Sequence, residues 1–164
     1  MADSTELAQR LRAAMQAKDH AAVVSLFSPG IVLHSPILGT RFEGVGAVSD
    51  LYEGIMEGFT DYRYTRELAG DGEYTLGFEG TVRGRRLEGV DIVRAGDDGL
   101  IAEMTIMIRP LGGLIAFLVE IGPHVARRRG RAHALVMRLM GPPLPLIAKL
   151  VDWVAPKLVT IRRG

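Results

Sequence analysis

Asp91 is an acidic residue inside an apolar pattern. It lies in the run 90–95, which Gly-Asp-Asp-Gly at 96–99 separates from a second apolar-rich run that starts at Leu100. Glycine and aspartate favour tight turns, so the two runs are predicted to pair as an antiparallel hairpin with Ala95 opposite Leu100. Side chains alternate between the faces of a sheet, so Asp91 would share its face with apolar neighbours. A carboxyl group there is costly unless it is protonated, paired or used in chemistry.

The same register indicates which side chains would surround this carboxyl group. It places Met104 directly opposite Asp91 on the following strand. A two-residue loop at Gly84-Arg85 would place Phe78 opposite Asp91 on the preceding strand. Asp91 is therefore the candidate acid or base of a pocket with apolar walls.

His34 and Ser35 are further candidates for a pocket. They are adjacent on a predicted strand, so only one of them can face it if the strand is regular. A histidine could act as a base near neutral pH. Four scattered histidines do not have the spacing of a metal site, and the glycine-rich turns do not have the form of a phosphate-binding loop. We therefore expect neither a metal nor a cofactor.

The elements that would position these residues form an α+β pattern. Helices are predicted at 3–17, where Asp3 and Glu6 form a capping box, in a short stretch after Asp19, and at 44–58. Strands are predicted at 31–35, 40–43, 61–68 and 73–83, followed by the hairpin around 96–99. Helices followed by an antiparallel meander are typical of α+β domains.

Composition limits the class of protein. A chain of 164 residues with 48% hydrophobic residues fits one domain with a sizeable core. The absence of cysteine excludes disulfides, a thiolate nucleophile and cysteine-ligated metals. The first residues are acidic and polar, the opposite of a signal peptide, so we expect a cytoplasmic protein.

The charge divides the chain into an acidic part at 1–110 and a basic extension at 111–164. The first has 11 basic and 17 acidic residues, and the second has 9 basic and 2 acidic. An acidic main domain argues against nucleic-acid binding. The extension is predicted to be helical, with an apolar stripe at Leu146, Leu150, Trp153, Val154 and Leu158. It could dock on the sheet or the pocket mouth as a lid, build a dimer or lie on an anionic membrane. We expect its apolar faces simply to pack on the acidic domain, because the opposite charges favour it.

Several segments resemble the nuclear transport factor 2-like superfamily. They are the helix break at Lys18-Asp19-His20, the segment 26–30, Ser35-Pro36, Phe42-Glu43-Gly44, and the hairpin at 90–104. The hairpin is especially similar to ketosteroid isomerase, and the superfamily also contains limonene epoxide hydrolase, scytalone dehydratase and SnoaL-like polyketide cyclases. The resemblance implies a cone-shaped, curved antiparallel sheet wrapped around N-terminal helices, an α+β barrel enclosing an apolar pocket.

The resemblance also implies roles for individual residues. Asp91 matches the protonated acid that donates a hydrogen bond to a developing enolate in ketosteroid isomerase. Tyr52 matches a second tyrosine of its hydrogen-bond network. Leu11 stands where that enzyme has its principal oxyanion tyrosine, and Ser35 where it has its catalytic base. Steroid isomerisation is therefore not expected, and of the epoxide hydrolase's Asp-Arg-Asp set only Asp91 is present.

Three functional hypotheses follow. The chain could be an isomerase, hydrolase or cyclase acting on a steroid-, terpenoid- or polyketide-like substrate, a non-catalytic carrier, or an interaction module working through its extension. For either of the first two, the expected pocket residues are Leu11, Met15, His34, Ser35, Tyr52, Phe78, Asp91 and Met104. Alternatively, Asp91 is purely structural and forms a hydrogen bond with Tyr52 or with the backbone. We expect a homodimer formed by the outer face of the sheet, which carries Ile92 and Met107.

Overall fold

The order of helices and strands follows the predicted α+β pattern. The computed structural model describes residues 4–70, 72–126, 146, 150, 153 and 154. The first elements are α1 (Ser4–Gln16), α2 (His20–Val24), β1 (Phe27–His34), β2 (Arg41–Glu43) and α3 (Val45–Gly58). They are followed by β3 (Arg63–Gly70), β4 (Glu73–Val82), β5 (Arg85–Ala95), β6 (Ile101–Arg109) and α4 (Leu111–Ala126).

The six strands form one curved, open sheet. Their order is β2-β1-β6-β5-β4-β3, with neighbouring strands antiparallel except for the parallel pair β1 and β6. The α+β cone fold is therefore confirmed. The sheet is mixed and unclosed, because β1 joins the free side of β6 and leaves β2 and β3 as edges.

The helices bury their apolar faces on one side of this sheet. Helix α1 packs against β3, β4 and β5, and places Leu7, Leu11 and Met15, one turn apart, in the core. Asp19 caps α2, as predicted, by accepting a hydrogen bond from the Ala22 backbone nitrogen at 2.9 Å. The proposed cap Asp3 lies outside the described residues.

The loop between β4 and β5 differs from the prediction by one position. It consists of Arg83 and Gly84, whose φ angles are 50° and 73°. Both positions of this hairpin turn require positive φ, and glycine at the second one meets that requirement. The shifted loop pairs Leu76, not Phe78, with Asp91.

The loop between β5 and β6 is longer than predicted and is followed by a bulge. The Gly96 backbone nitrogen donates to the Leu100 carbonyl oxygen at 2.8 Å within this loop. The pair of residues next to the loop is Ala95 and Ile101. The register then shifts between Arg94 and Ala95, which brings Ile106, not Met104, opposite Asp91. Each of the two hairpin registers was wrong by two residues. An even shift keeps every side chain on its face, so Asp91 still faces the core.

A regular strand over 61–68 would place the side chains of Tyr64 and Arg66 on the same face, but a bulge in β3 separates them. Tyr64 pairs with Phe78 and Arg66 with Gly77, which leaves Thr65 as the extra residue. Tyr64 therefore points into the core, whereas Arg66 is exposed. The expected regular alternation along 61–68 was wrong from this point onward.

Helix α4 begins directly after the last strand. Gly112 and Gly113, a residue type that disfavours helices, are both buried inside α4. A Cβ atom on Gly113 would come within 2.6 Å of the Leu87 Cβ atom, so the glycine allows α4 to lie directly on β5. Ala116, Phe117 and Ile121 thus belong to the same core as 1–110.

Three large apolar side chains beyond α4 are exposed. Leu146, Leu150 and Trp153 lie at helical positions and are 66%, 59% and 63% exposed. The expectation that these side chains pack on the acidic domain was therefore wrong. Among the described helices, none is long and apolar enough to cross a bilayer.

Candidate functional site

Asp91 is the centre of the site. It is 2% exposed, and it is the one charged residue among the fully buried residues of the described chain. Its Oδ2 atom accepts hydrogen bonds from the hydroxyls of Tyr64, at 3.1 Å, and of Tyr62, at 3.5 Å. Both distances are long for hydroxyl donors, so the tyrosines compensate only partly for the water that the carboxyl group has lost.

Burial changes the protonation of this carboxyl group. Loss of hydration raises the pKa of Asp91 to about 7, although the hydrogen bonds from Tyr64 and Tyr62 act to lower it. Burial and the nearby carboxyl group also raise the pKa values of Tyr62 and Tyr64 well above their ordinary range, so both remain hydroxyl donors. Near neutral pH, Asp91 therefore exchanges between a carboxylate and a neutral acid that can donate a proton.

A small cavity adjoins Asp91. Its volume of about 10 Å³ suits at most one water molecule. Helices α1, α3 and α4 and the sheet all contribute to its lining. The lining residues are Met15, Tyr52, Ile55, Phe59, Tyr62, Phe78, Asp91, Ile106 and Phe117. Apart from the hydroxyls and the carboxyl group, these side chains offer only apolar surface.

Aromatic rings enclose one side of the cavity. Tyr62 stacks on Phe78, with ring centroids 5.3 Å apart, and meets Phe59 edge to face at 5.2 Å. Phe59 in turn contacts Phe117 of α4 edge to face at 6.1 Å. A flat apolar ligand would find suitable surfaces among these rings.

Helix α4 covers the cavity and is tightly seated. A Cβ atom on Gly54 of α3 would lie 3.0 Å from an Ile121 methyl carbon and 3.2 Å from the His124 Cβ atom. Phe117 of this closely packed helix lines the cavity. The sequence placed α4 in the basic extension, for which a lid over the pocket mouth was one of three possibilities, and it did not indicate Phe117 as a pocket residue.

Tyr52 is buried as expected but does not hydrogen-bond to Asp91. Its hydroxyl donates to the sulfur of Met104. The partners of Asp91 are Tyr62 and Tyr64, which the sequence analysis did not select. Tyr62 and Tyr64 alternate in sequence with the charged residues Asp61 and Arg63. This alternation could have revealed them, because it places both rings on the core face of the sheet, which is also the face of Asp91.

The other candidate residues divide into three groups. Met15 and Phe78 line the cavity, whereas Leu11 and Met104 are fully buried in the surrounding core. His34 and Ser35 do not line it. The His34 Nε2 atom is 2.9 Å from Glu103 Oε1, and the side chain of His34 is 40% exposed.

Ser35 lies where β1 ends, and its hydroxyl serves the backbone. The Ser35 Oγ atom accepts hydrogen bonds from the backbone nitrogens of Ile37, at 3.1 Å, and Leu38, at 3.2 Å. Within the described residues, no group of three or more histidine, aspartate or glutamate side chains is arranged to hold a metal ion.

Comparisons with known proteins agree with the fold. The chain matches the SnoaL-like domain family over residues 8–104. A steroid delta-isomerase from Pseudomonas aeruginosa has 30% sequence identity and a TM-score of 0.68, and the match covers 79% of this chain and 93% of that one. No curated protein sequence matches.

Two further structures show the same fold at lower identity. A cystatin-like protein from Silicibacter pomeroyi has 20% identity and a TM-score of 0.69, covering 80% of this chain and 92% of its own. A candidate polyketide cyclase from Sinorhizobium meliloti has 18% identity and a TM-score of 0.53, covering 64% and 99%. The chain therefore belongs to the SnoaL-like domain family and is a small-molecule-binding domain with the nuclear transport factor 2-like fold.

Proposed function

We propose that this protein binds a small, largely apolar molecule with one oxygen acceptor, and that Asp91 donates a hydrogen bond to that oxygen. The observation that carries the proposal is a buried carboxyl group beside a cavity whose other walls are apolar or aromatic. A polar ligand would lose hydration in this cavity without replacement. A ketone, ester or epoxide loses little hydration and gains one strong interaction.

The chemistry that Asp91 could perform is acid assistance. Since Oδ2 already accepts from Tyr62 and Tyr64, the acidic proton would lie on Oδ1 and point to the ligand oxygen. A neutral acid in an apolar site stabilises negative charge that develops on such an oxygen. Isomerisation, hydrolysis and cyclisation of steroid-, terpenoid- or polyketide-like compounds all develop charge in this way. The names of the Pseudomonas and Sinorhizobium proteins support this substrate range.

A non-catalytic carrier is the second candidate function. Of the nine residues that line the cavity, Asp91 is the one that can be a carboxylate or a general base at neutral pH. Ser35 and Leu11, which stand where ketosteroid isomerase has its base and its oxyanion tyrosine, offer no replacement. A reaction that needs an acid and a separate base would therefore lack one partner. Binding alone needs only the hydrogen bond and the apolar walls.

Ligand entry must enlarge the cavity. A volume of about 10 Å³ is far below the several hundred cubic ångströms of typical ligand pockets. Phe117 lines the cavity from α4 and is not part of the sheet, so its displacement would enlarge the cavity without moving a strand. A ligand that enters here would contact Asp91 and α4 together.

Native mass spectrometry of freshly purified protein is the first test, because a co-purified ligand would identify the class directly. The second test compares wild type with Asp91→Leu, whose side chain is of similar size and has no hydrogen-bond donor, in calorimetric titrations of an apolar ketone and of the alkane with the same skeleton. We expect the wild type to prefer the ketone and the variant to lose much of that preference. Equal binding of ketone and alkane by the wild type would refute the donor role. Turnover of the ketone would favour the enzyme over the carrier.

We also propose that the outer face of the sheet forms a homodimer. This face has a groove of about 460 Å³ lined by residues that include Arg66, Val90 and Met107. Met107 is exposed, and an ion pair of 2.8 Å joins Arg109 to Glu88 beside it. Exposed apolar side chains among paired charges of both signs fit a self-complementary interface.

A further inference from the structure

Tyr62 is the least buried residue of the cavity lining. Of the nine described residues that line the cavity, eight are fully buried and Tyr62 is half-buried. It belongs to the connection 59–62 between α3 and β3 and so lies outside both elements. Tyr64, the other partner of Asp91, is in contrast a fully buried residue of β3. A path from solvent to Asp91 therefore leads past the side chain of Tyr62.

The backbone around Tyr62 is held in place. The Thr60 backbone nitrogen donates to the Thr81 carbonyl oxygen at 3.0 Å. A Cβ atom on Gly80 would lie 3.3 Å from the Tyr62 Cα atom, so the connection lies directly on β4. The part of Tyr62 that can move is therefore its side chain, by rotation about the Cα–Cβ bond.

The ring of Tyr62 fills a slot between three other aromatic rings. It stacks on Phe78, with an angle of 25° between the ring planes, and meets Phe59 and Tyr64 edge to face, each with ring centroids 5.2 Å apart. Its hydroxyl donates to Asp91 at 3.5 Å, the longer of the two tyrosine hydrogen bonds to this carboxyl group. The ring takes up the space between these walls, which explains why the remaining cavity holds only about 10 Å³. A flat ring with an oxygen at its edge is thus already bound beside Asp91, and it belongs to the chain itself.

We propose that the side chain of Tyr62 occupies the place of the ligand, and that a flat ring bearing an oxygen binds by displacing it. This inference rests on the proposed function and narrows its ligand class to ring compounds such as phenols and cyclic enones. Such a ring would repeat the stacking on Phe78 and both edge contacts, and its oxygen would meet Asp91. A ring without an oxygen would leave the carboxyl group with one hydrogen bond fewer, and a saturated chain would offer no flat face. Displacement of Phe117 would add room for a ligand of more than one ring.

Removing the Tyr62 ring is the first test. In the wild type the ring must leave before a ligand binds, so the apparent affinity is reduced by the fraction of molecules in which the slot is free. Tyr62→Ala should therefore bind para-cresol, which has the shape of the tyrosine side chain, roughly tenfold more tightly than the wild type in calorimetric titrations. It should bind toluene more weakly than para-cresol, because toluene has no hydroxyl. Equal binding of these two compounds by the variant would overturn the assignment of the ligand oxygen to Asp91.

The matched control removes a tyrosine elsewhere. Tyr74 is also buried and donates to Glu67 at 2.9 Å, but it does not line the cavity. Tyr74→Ala should therefore bind para-cresol like the wild type. Equal affinities of the wild type and Tyr62→Ala, or equal gains in the two variants, would overturn the proposal.

The second test follows Tyr62 in the wild type and does not depend on whether Tyr62→Ala folds. The chain has four tyrosines, so protein labelled with meta-fluorotyrosine should give few enough fluorine NMR resonances to separate. The resonance that is missing in Tyr62→Phe belongs to Tyr62. Addition of para-cresol should move it towards its position in the unfolded protein, because the ring leaves the slot for solvent, and should leave the resonance of Tyr74 unchanged. A Tyr62 resonance that stays in place up to the solubility limit of para-cresol would overturn the proposal.

These outcomes separate the inference from the proposed function. The hydroxyl of para-cresol can donate to a carboxylate or accept from a neutral acid, so its binding does not depend on Asp91 as the donor. If the Tyr62 resonance moves while the wild type binds ketone and alkane equally, the ring slot is supported and the donor role is refuted. A preference for the ketone with an unchanged Tyr62 resonance would support the donor role and overturn the slot.

Discussion

Replacing Asp91 by asparagine should change how stability depends on pH. The pKa of Asp91 rises from an ordinary value of 3.8 to about 7 on folding, because burial disfavours the carboxylate. The folded state therefore holds this proton more tightly than the unfolded chain does. Between these two values the stability of the wild type falls as pH rises, and above about pH 7 the loss is complete. At 1.36 kcal/mol per pKa unit, the loss amounts to about 4 kcal/mol.

Asparagine keeps the shape of the side chain but has no such titration. Its amide group would place two donors near Oδ1 or Oδ2, and a buried donor without a partner costs roughly 1–3 kcal/mol. The variant should thus be less stable than the wild type near pH 4. Between pH 4 and pH 8 the free energy of unfolding of the variant should rise by about 4 kcal/mol relative to that of the wild type, since only the wild type buries a charge at pH 8.

Urea unfolding at both pH values, followed by circular dichroism, measures this difference. A change of less than about 1 kcal/mol between the two pH values would refute the reasoning, because one pKa unit already corresponds to 1.36 kcal/mol. Asp98→Asn is the control, because the contribution of Asp98 to stability depends on pH in the opposite direction. The Ser28 hydroxyl and the Leu100 backbone nitrogen lower the pKa of Asp98, so its contribution is present above its unfolded pKa and is lost as pH falls through the folded one.

Three further changes test the site and the interface. Tyr64→Phe should raise the pKa of Asp91, because the Tyr64 hydroxyl acts to lower it. An NMR titration of Asp91 should show a smaller change of this pKa in Tyr52→Phe. Equal changes in the two variants would contradict the assignment of Tyr64 as the hydrogen-bond partner. Phe117→Ala should cost about 3–5 kcal/mol of stability and create space that binds toluene. Toluene should then raise the melting temperature of the variant but not that of the wild type. If toluene leaves the melting temperature of the variant unchanged, helix α4 has collapsed into the space. Ile92→Arg on the outer face should give a monomer in light scattering, and an unchanged dimer would place the interface elsewhere.

The alternation of apolar side chains was enough to place Asp91 on the core face without the structure. That prediction held although both hairpin registers were wrong, because each register was shifted by two residues and side chains alternate faces with a period of two. The helices α1 and α3 were also predictable, since their buried residues recur every three or four positions. These features depend on neighbours that are close in sequence.

Only the tertiary structure decided which groups meet Asp91. The bulge at Thr65 and the loop of Arg83 and Gly84 determine that Tyr64 reaches its carboxyl group, and neither can be read from a periodic pattern. Phe117 joins the site through close approach of α4 to glycines of other elements. Such contacts depend on the packing of segments far apart in the chain. The raised pKa of Asp91 depends on burial from all sides, so it too was decided by the folded structure.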